Sequence, residues 1–333
     1  MMRALAFDKF LPDPKPFIKE VPIPTPGPGE VLVKMEAAPI NPSDLNWMKG
    51  VYGIKAELPA IGGFEGAGTI IETGPGLFTS FLKGRRVSCI AAPGKSGTWA
   101  EYMVTKSHYC TKLKDHFSFE QGATFFINPM TAQMFTEKIS AGKHKAAIQT
   151  AAASSLGKMM VKWGERTKFP IINIVRRPEQ VEMLKNLGSM YILNSTSPTF
   201  KEELSDLCKI LQPTIAFDAV SGELTGVIMN AMPDNSIHYV YGALSGQDIS
   251  GINTRGLYFG NKLLGGLWLT SWMQKKTPFE LKLAIGAVQR NFGHTFNSEI
   301  TGRFPLNKYG EAIKTFKSNT SSGKVILYPS QII

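Results

Sequence analysis

The sequence predicts an α/β chain in which a doubly wound parallel sheet is joined to a compact β-rich unit. Three observations carry that reading. From about residue 120, apolar runs of strand length alternate with helical patterns, as they do where helices cover both faces of a parallel sheet. The first third has a different texture. Short alternating runs (Glu30-Val-Leu-Val-Lys-Met, Gly68-Thr-Ile-Ile-Glu-Thr, Arg86-Val-Ser-Cys-Ile) are punctuated by Pro-Gly and Gly-Pro, which fits a small β domain. Third, residues 145–177 have the order and length of one strand–helix–strand unit. The expected boundaries are 1–120 for the β-rich unit, completed by about 275–333, and 121–274 for the parallel sheet.

The strands expected in the sheet are Ala146–Ala151, Ile171–Val175, Tyr191–Leu193, Ile215–Val220 and Ile237–Tyr241. Between the first two, Leu156, Met159, Met160 and Trp163 fall at i, i+3, i+4 and i+7, the apolar stripe of a helix. A second helix starts at Pro178, turns Val181, Leu184 and Leu187 inward and stops at Gly188. Phe200, Leu204, Leu207, Cys208 and Leu211 mark a third, so Cys208 reads as packing. A late helix is expected over Pro278–Arg290, and the run Gly323–Leu327 reads as a terminal strand that rejoins the first unit.

The unit at 145–177 reads as a dinucleotide site. Its turn, Ala-Ala-Ala-Ser-Ser-Leu-Gly, departs from G-x-G-x-x-G and keeps only Gly157. Small residues still admit a phosphate, and a helix N-terminus offers amide donors and a positive dipole end to a pyrophosphate. Ala153, Ser154, Ser155, Leu156 and Gly157 are therefore placed against the cofactor. At the tip of the second strand, where an acid would take both ribose hydroxyls, stand Arg176 and Arg177. Guanidinium groups suit a 2′-phosphate, so the cofactor read here is NADPH. A ligand-free β-α-β unit followed by two solvated arginines fits the same residues.

Composition narrows the class. The chain of 333 residues carries a formal charge of +11 with a pI near 9.4. Its basic residues are scattered, with no basic tail and no nucleic-acid module, so nucleic acid is not expected as the main partner. No apolar stretch reaches the length of a membrane span. The first residues show neither a signal-type apolar region nor, with Asp8 so early, a transit pattern, and a cytoplasmic location is expected. Cys89, Cys110 and Cys208 are far apart, which argues against a disulfide framework and a structural zinc site.

Asn41–Gly66 (NPSDLNWMKGVYGIKAELPAIGGFEG), Gly97–Val104 (GTWAEYMV), Asn128-Pro-Met-Thr-Ala and Ser322-Gly-Lys-Val-Ile-Leu together resemble the medium-chain dehydrogenase/reductase superfamily, nearly end to end. Within it the chain is similar to the zinc-independent quinone oxidoreductases and mitochondrial-type 2-enoyl thioester reductases. The resemblance implies a GroES-like catalytic domain beside a Rossmann domain, and a homodimer joined edge to edge. The zinc enzymes of this superfamily take metal ligands at places that here are Asn41 and Phe64, so no metal is expected. Without that Lewis acid, hydride would go to an already electron-poor carbon. The GxY tyrosine implies Tyr52 as proton donor or substrate orienter. For the cofactor the resemblance implies Asn41, Thr131, Tyr241, Gly242, Ala243, Leu267, Trp268 and Leu269, with Lys324 reaching a phosphate. Phe64 and Trp272 would face the substrate. The expected activity is NADPH-dependent reduction of an enoyl thioester or enone, with NADPH:quinone oxidoreduction as the alternative. A non-enzymatic role through RNA or membranes, supported only by the basic pI, is the third reading.

Overall fold

The computed structural model describes residues 1–76, 79–92, 94, 97–318 and 321–331. Two units divide the chain, Met1–Ile127 with Asn297–Ile333, and Asn128–Phe296.

In the first unit the strand Glu30–Pro39 is the spine. It pairs antiparallel with Glu65–Thr73, with Tyr102–Lys106 and with Lys324–Tyr328. Arg86–Ile90, Cys110–Lys112 and Ile300–Pro305 complete this sheet of seven strands among the described residues. Val31, Val33 and Met35, two residues apart, share one face, as strand periodicity requires. That face is buried with Ile70, Val87, Cys89 and Met103. A smaller sheet sets Met2–Phe7 between Phe17–Val21 and Ala60–Ile61. The terminal strand does rejoin this unit, aligning Ile326 and Leu327 with Pro39 and Ala38.

The second unit holds six parallel strands in the order Tyr191–Asn194, Ile171–Val175, Ala147–Gln149, Ile215–Asp218, Ile237–Val240, Leu263–Gly266. Numbered along the chain, that is 3-2-1-4-5-6, the doubly wound order of a dinucleotide-binding sheet. Every residue of Ile171–Val175 is buried, because helices cover both faces and the strand needs no polar side. On one face Ile148, Ile172 and Ile174 pack with Phe200, Leu204 and Cys208, so Cys208 is core, as its helical register predicts. On the other, Val175 and Leu184 meet Ala152, Ala153 and Val161.

Three differences from expectation have local causes. The first and fourth strands stop at Gln149 and Asp218, two residues short of the expected ends; beyond them the Thr150 hydroxyl donates to Asp218 Oδ1 at 2.8 Å, and Val220 N and Ser221 N turn back to the same oxygen. The sixth strand, Leu263–Gly266, was not anticipated. It lies at the sheet edge with Leu263 57% and Leu264 40% exposed, and its two glycines leave no pattern to read. The second unit also runs on to Phe296, taking in the helix Pro278–Asn291. There Arg166 Nη1 donates to Asn291 Oδ1 at 3.0 Å and to Thr295 Oγ1 at 3.2 Å, which ties this helix to Ser155–Thr167.

Candidate functional site

The carboxyl edge of the parallel sheet gathers most of the predicted cofactor residues. After Gln149 the chain turns through Ala151, whose φ of 50° is left-handed, and buries Ala152 and Ala153. Ser154 caps the helix Ser155–Thr167, its Oγ accepting from Gly157 N at 3.1 Å. A Cβ on Gly157 would stand 2.4 Å from the Ala152 carbonyl oxygen. Only glycine allows the helix to approach its own turn this closely, the role of the last glycine in the dinucleotide fingerprint. The turn therefore keeps the tight shape although serine and alanine replace the other glycines. Leu156 is buried, so its contribution is packing and its amide, while Ser154 and Ser155 are partly exposed.

Arg176 and Arg177 follow Val175 directly and are exposed. Both amides donate to Gln180 Oε1 at 3.1 Å, and the Thr196 hydroxyl donates to the Arg176 carbonyl at 3.3 Å. The backbone at the strand tip is thus held from both sides. In doubly wound sheets the tip of the second strand is where a cofactor ribose is read.

Sequence reasoning missed Asp218. Its buried carboxylate accepts from Thr150 Oγ1 (2.8 Å), Val220 N (2.8 Å), Ser221 N (3.2 Å) and Thr225 Oγ1 (2.6 Å), with His238 Nε2 at 3.2 Å. Burial works against its charge, but hydrogen bonds from His238 and Thr225 prevail and hold the carboxyl down at about 2. The only sequence signal was an acid ending an apolar strand ahead of small residues. Tyr241, Gly242 and Ala243 follow the fifth strand, and Tyr241 N donates to the Asp218 carbonyl at 2.8 Å. Thr131 is buried in the helix Ile127–Ala141. One turn on, Phe135 stacks on Phe217 at 4.0 Å and meets Tyr241 at 5.0 Å.

Leu267 is nearly buried and donates its amide to Val240 O at 2.9 Å. Trp268 precedes the short helix Leu269–Gln274. Within that helix the Trp272 ring carries Lys276 Nζ at 4.4 Å, and the same ammonium donates to Glu137 Oε2 at 2.7 Å.

In the first unit Tyr52 is half-buried against Phe64, ring centroids 5.2 Å apart, and Phe64 also meets Trp47 at 5.2 Å. Below these rings lies a buried polar cluster. Asp44 accepts from the amides of Asn41 (2.7 Å) and Phe64 (2.9 Å). Asn41 Nδ2 donates to Glu65 Oε1 at 3.0 Å, and Lys324 Nζ donates to Asn41 Oδ1 while lying 4.0 Å from Glu65. Glu65 Oε2 takes the amides of Phe126 and Ile127 at 3.1 and 2.9 Å. Burial pushes the Asp44 carboxyl up to about 7, with the Glu65 charge adding to it, against the amide hydrogen bonds and Lys324. Burial raises Glu65 as well, opposed by Lys324, and lowers Lys324, opposed by Glu65 and Asp44.

Lys324 and Asn41, both expected at the cofactor, are almost completely buried and bonded to each other, where Glu65 gains a cation and a donor with water excluded. The cluster also bears on zinc. An amide and a phenyl ring are poor donors, and a lysine ammonium shares the space, so these residues do not fit the metal. Among the described residues no group of three His, Cys, Asp or Glu side chains is placed to hold a metal ion.

Comparison with known proteins agrees with this arrangement. The family described as the alcohol dehydrogenase GroES-like domain matches residues 27–115. A solved Mesorhizobium loti protein, provisionally named an NADPH:quinone reductase, is 32% identical with a TM-score of 0.91, covering 98% of each chain. This chain belongs to the medium-chain dehydrogenase/reductase superfamily. As a medium-chain reductase it falls in the zinc-independent branch, which its Asn41 and Phe64 reflect. The mitochondrial enoyl-[acyl-carrier-protein] reductase of Arabidopsis thaliana is 30% identical over 249 residues, 73% of this chain and 65% of that protein's length. A mutant enoyl thioester reductase from Candida tropicalis shares the fold, with a TM-score of 0.80 at 22% identity over 98% and 99% of the two chains. No helix among the described residues is long and apolar enough to cross a membrane.

Proposed function

We propose that this chain is an NADPH-dependent reductase of activated C=C bonds, with 2-enoyl thioesters as its preferred acceptors. The observation that carries the cofactor is the exposed Arg176–Arg177 pair at the tip of the second strand, beside a turn that Gly157 keeps tight. NADPH, when bound, supplies a hydride for the electron-poor β-carbon of the acceptor.

The protein's own residues supply the rest. The arginines hold the 2′-phosphate by charge-assisted hydrogen bonds. Thr131, Tyr241–Ala243, Leu267, Trp268 and Leu269 are assigned to the nicotinamide end, with Trp272 and Phe64 as apolar walls for the acceptor. Tyr52 gives the α-carbon its proton or orients the carbonyl oxygen on which charge develops. With the zinc positions filled by an amide and a phenyl ring, the acceptor must already be polarised, which favours conjugated carbonyls over alcohols or simple ketones. The name of the Arabidopsis relative supports the thioester reading.

Quinone reduction is the second reading, favoured by the Mesorhizobium loti protein's likeness over nearly the whole chain. Assays of crotonyl thioester and a naphthoquinone side by side, at saturating NADPH, separate the two. A higher kcat/KM for the thioester is expected, and faster quinone reduction reverses the order.

The edge strand Leu263–Gly266, whose outer side has no strand partner among the described residues and which carries two exposed leucines, supports a homodimer in which two copies join their sheets edge to edge. Sedimentation should give a particle of twice 36.5 kDa. Introducing Leu264→Lys should leave a monomer; a wild-type monomer at micromolar concentration sinks this assignment.

A further inference from the structure

Asp218 stands where the winding of the sheet reverses. The strand Ala147–Gln149 has Ile171–Val175 on one side and Ile215–Asp218 on the other, and the helices that follow strands one and four leave toward opposite faces in this topology. The gap at the carboxyl ends of those two strands is the crevice where doubly wound sheets take their ligand. The Thr150 hydroxyl bridges it, donating to Asp218 Oδ1 and accepting from Ala219 N, both at 2.8 Å. Thr150 directly precedes Ala151, the left-handed residue that starts the Gly157 turn.

The same carboxylate shapes the opposite wall. Its bonds from Val220 and Ser221 N–H hold a main chain whose Ser221 has φ 67°. The loop after the fifth strand then hangs on that main chain, with Tyr241 N on Asp218 O (2.8 Å), Leu244 N on Ala219 O (2.9 Å) and Ser245 N on Val220 O (2.9 Å). One buried anion thus sets both the turn assigned to the pyrophosphate and the loop assigned to the nicotinamide.

We infer that Asp218, acting through Thr150 and the 218–220 main chain, is a positioning residue for the cofactor, fixing the spacing between its two binding loops. This rests on reading the carboxyl edge as the NADPH site. Asp218 need touch no part of the ligand. Its effect should fall on the pyrophosphate and nicotinamide end and spare the adenosine end, because Arg176 and Arg177 sit on another strand.

The test uses Thr150→Val, which keeps the shape and removes the bridge, and Thr150→Ser, which restores a hydroxyl. Asp218→Asn is a harsher third variant, since it turns an amide donor toward the Val220 and Ser221 amides. Titration followed by NADPH fluorescence should show Kd raised about tenfold in Thr150→Val and within about threefold of wild type in Thr150→Ser, the loss of roughly one buried bridging hydrogen bond. Adenosine 2′-phosphate, titrated as a competitor, should keep its wild-type affinity in both. Unchanged NADPH affinity in Thr150→Val overturns the positioning role alone. Equal losses for NADPH and adenosine 2′-phosphate also overturn it, by revealing general unfolding. A wild-type protein that binds neither compound removes the cofactor reading, and the inference with it.

Discussion

Replacing Arg176 and Arg177 together by alanine is expected to raise the KM for NADPH about a hundredfold while leaving that for NADH within about twofold. Hydrogen bonds to charged groups contribute on the order of 1.5–3 kcal/mol each. These side chains are exposed, so solvent screening keeps the pair near the lower end, about 2.7 kcal/mol, or two powers of ten in affinity. The backbone they stand on is held by Gln180 and Thr196, so the fold should survive. Steady-state rates with both cofactors decide the matter. A wild-type preference for NADH, or a double variant with unaltered selectivity, removes the 2′-phosphate from the account.

The second large effect is on chemistry. Tyr52→Phe should lower kcat with a crotonyl thioester by roughly 10²–10³-fold with KM little changed, in the lower part of what a positioned general acid contributes. The ring contact with Phe64 at 5.2 Å is kept by the substitution, so only the hydroxyl is removed. A fall in kcat and kcat/KM together marks a group acting in the transition state, whereas a rise in KM alone would mark ground-state binding. Turnover equal to that of the wild type would leave Tyr52 as a packing residue.

Both predictions concern residues whose positions in the chain already pointed to chemistry. The arginines were legible because they interrupt a pattern, two cations directly after a five-residue strand with four apolar residues and before a helix-starting proline. Tyr52 was legible only through resemblance, since a tyrosine in a glycine-rich loop carries no local signature of catalysis. Lys324 was legible only in the same limited way. Its segment identified it as a residue of note, but nothing nearby announced that its partners would be Asn41 and Glu65.

Hydrophobic period is a local property, and it determined much of this protein without help. Ile171–Val175 and the returning terminal strand follow from short apolar runs, and the helix carrying Met159 and Met160 and the inward Cys208 from spacings of three to four residues. Strand ends were not legible in this way, because the apolar run continues past Gln149 and Asp218 into turns whose amides bond to the Asp218 side chain. Only the tertiary structure could decide the buried polar networks. Lys324 reaches Asn41 across 283 positions of sequence, and Asp218 collects donors from 68 residues before it to 20 after. An ionised group excluded from water must find its counter-charge and donors wherever the fold brings them. Such partnerships are set by three-dimensional packing and leave no periodic trace in the chain.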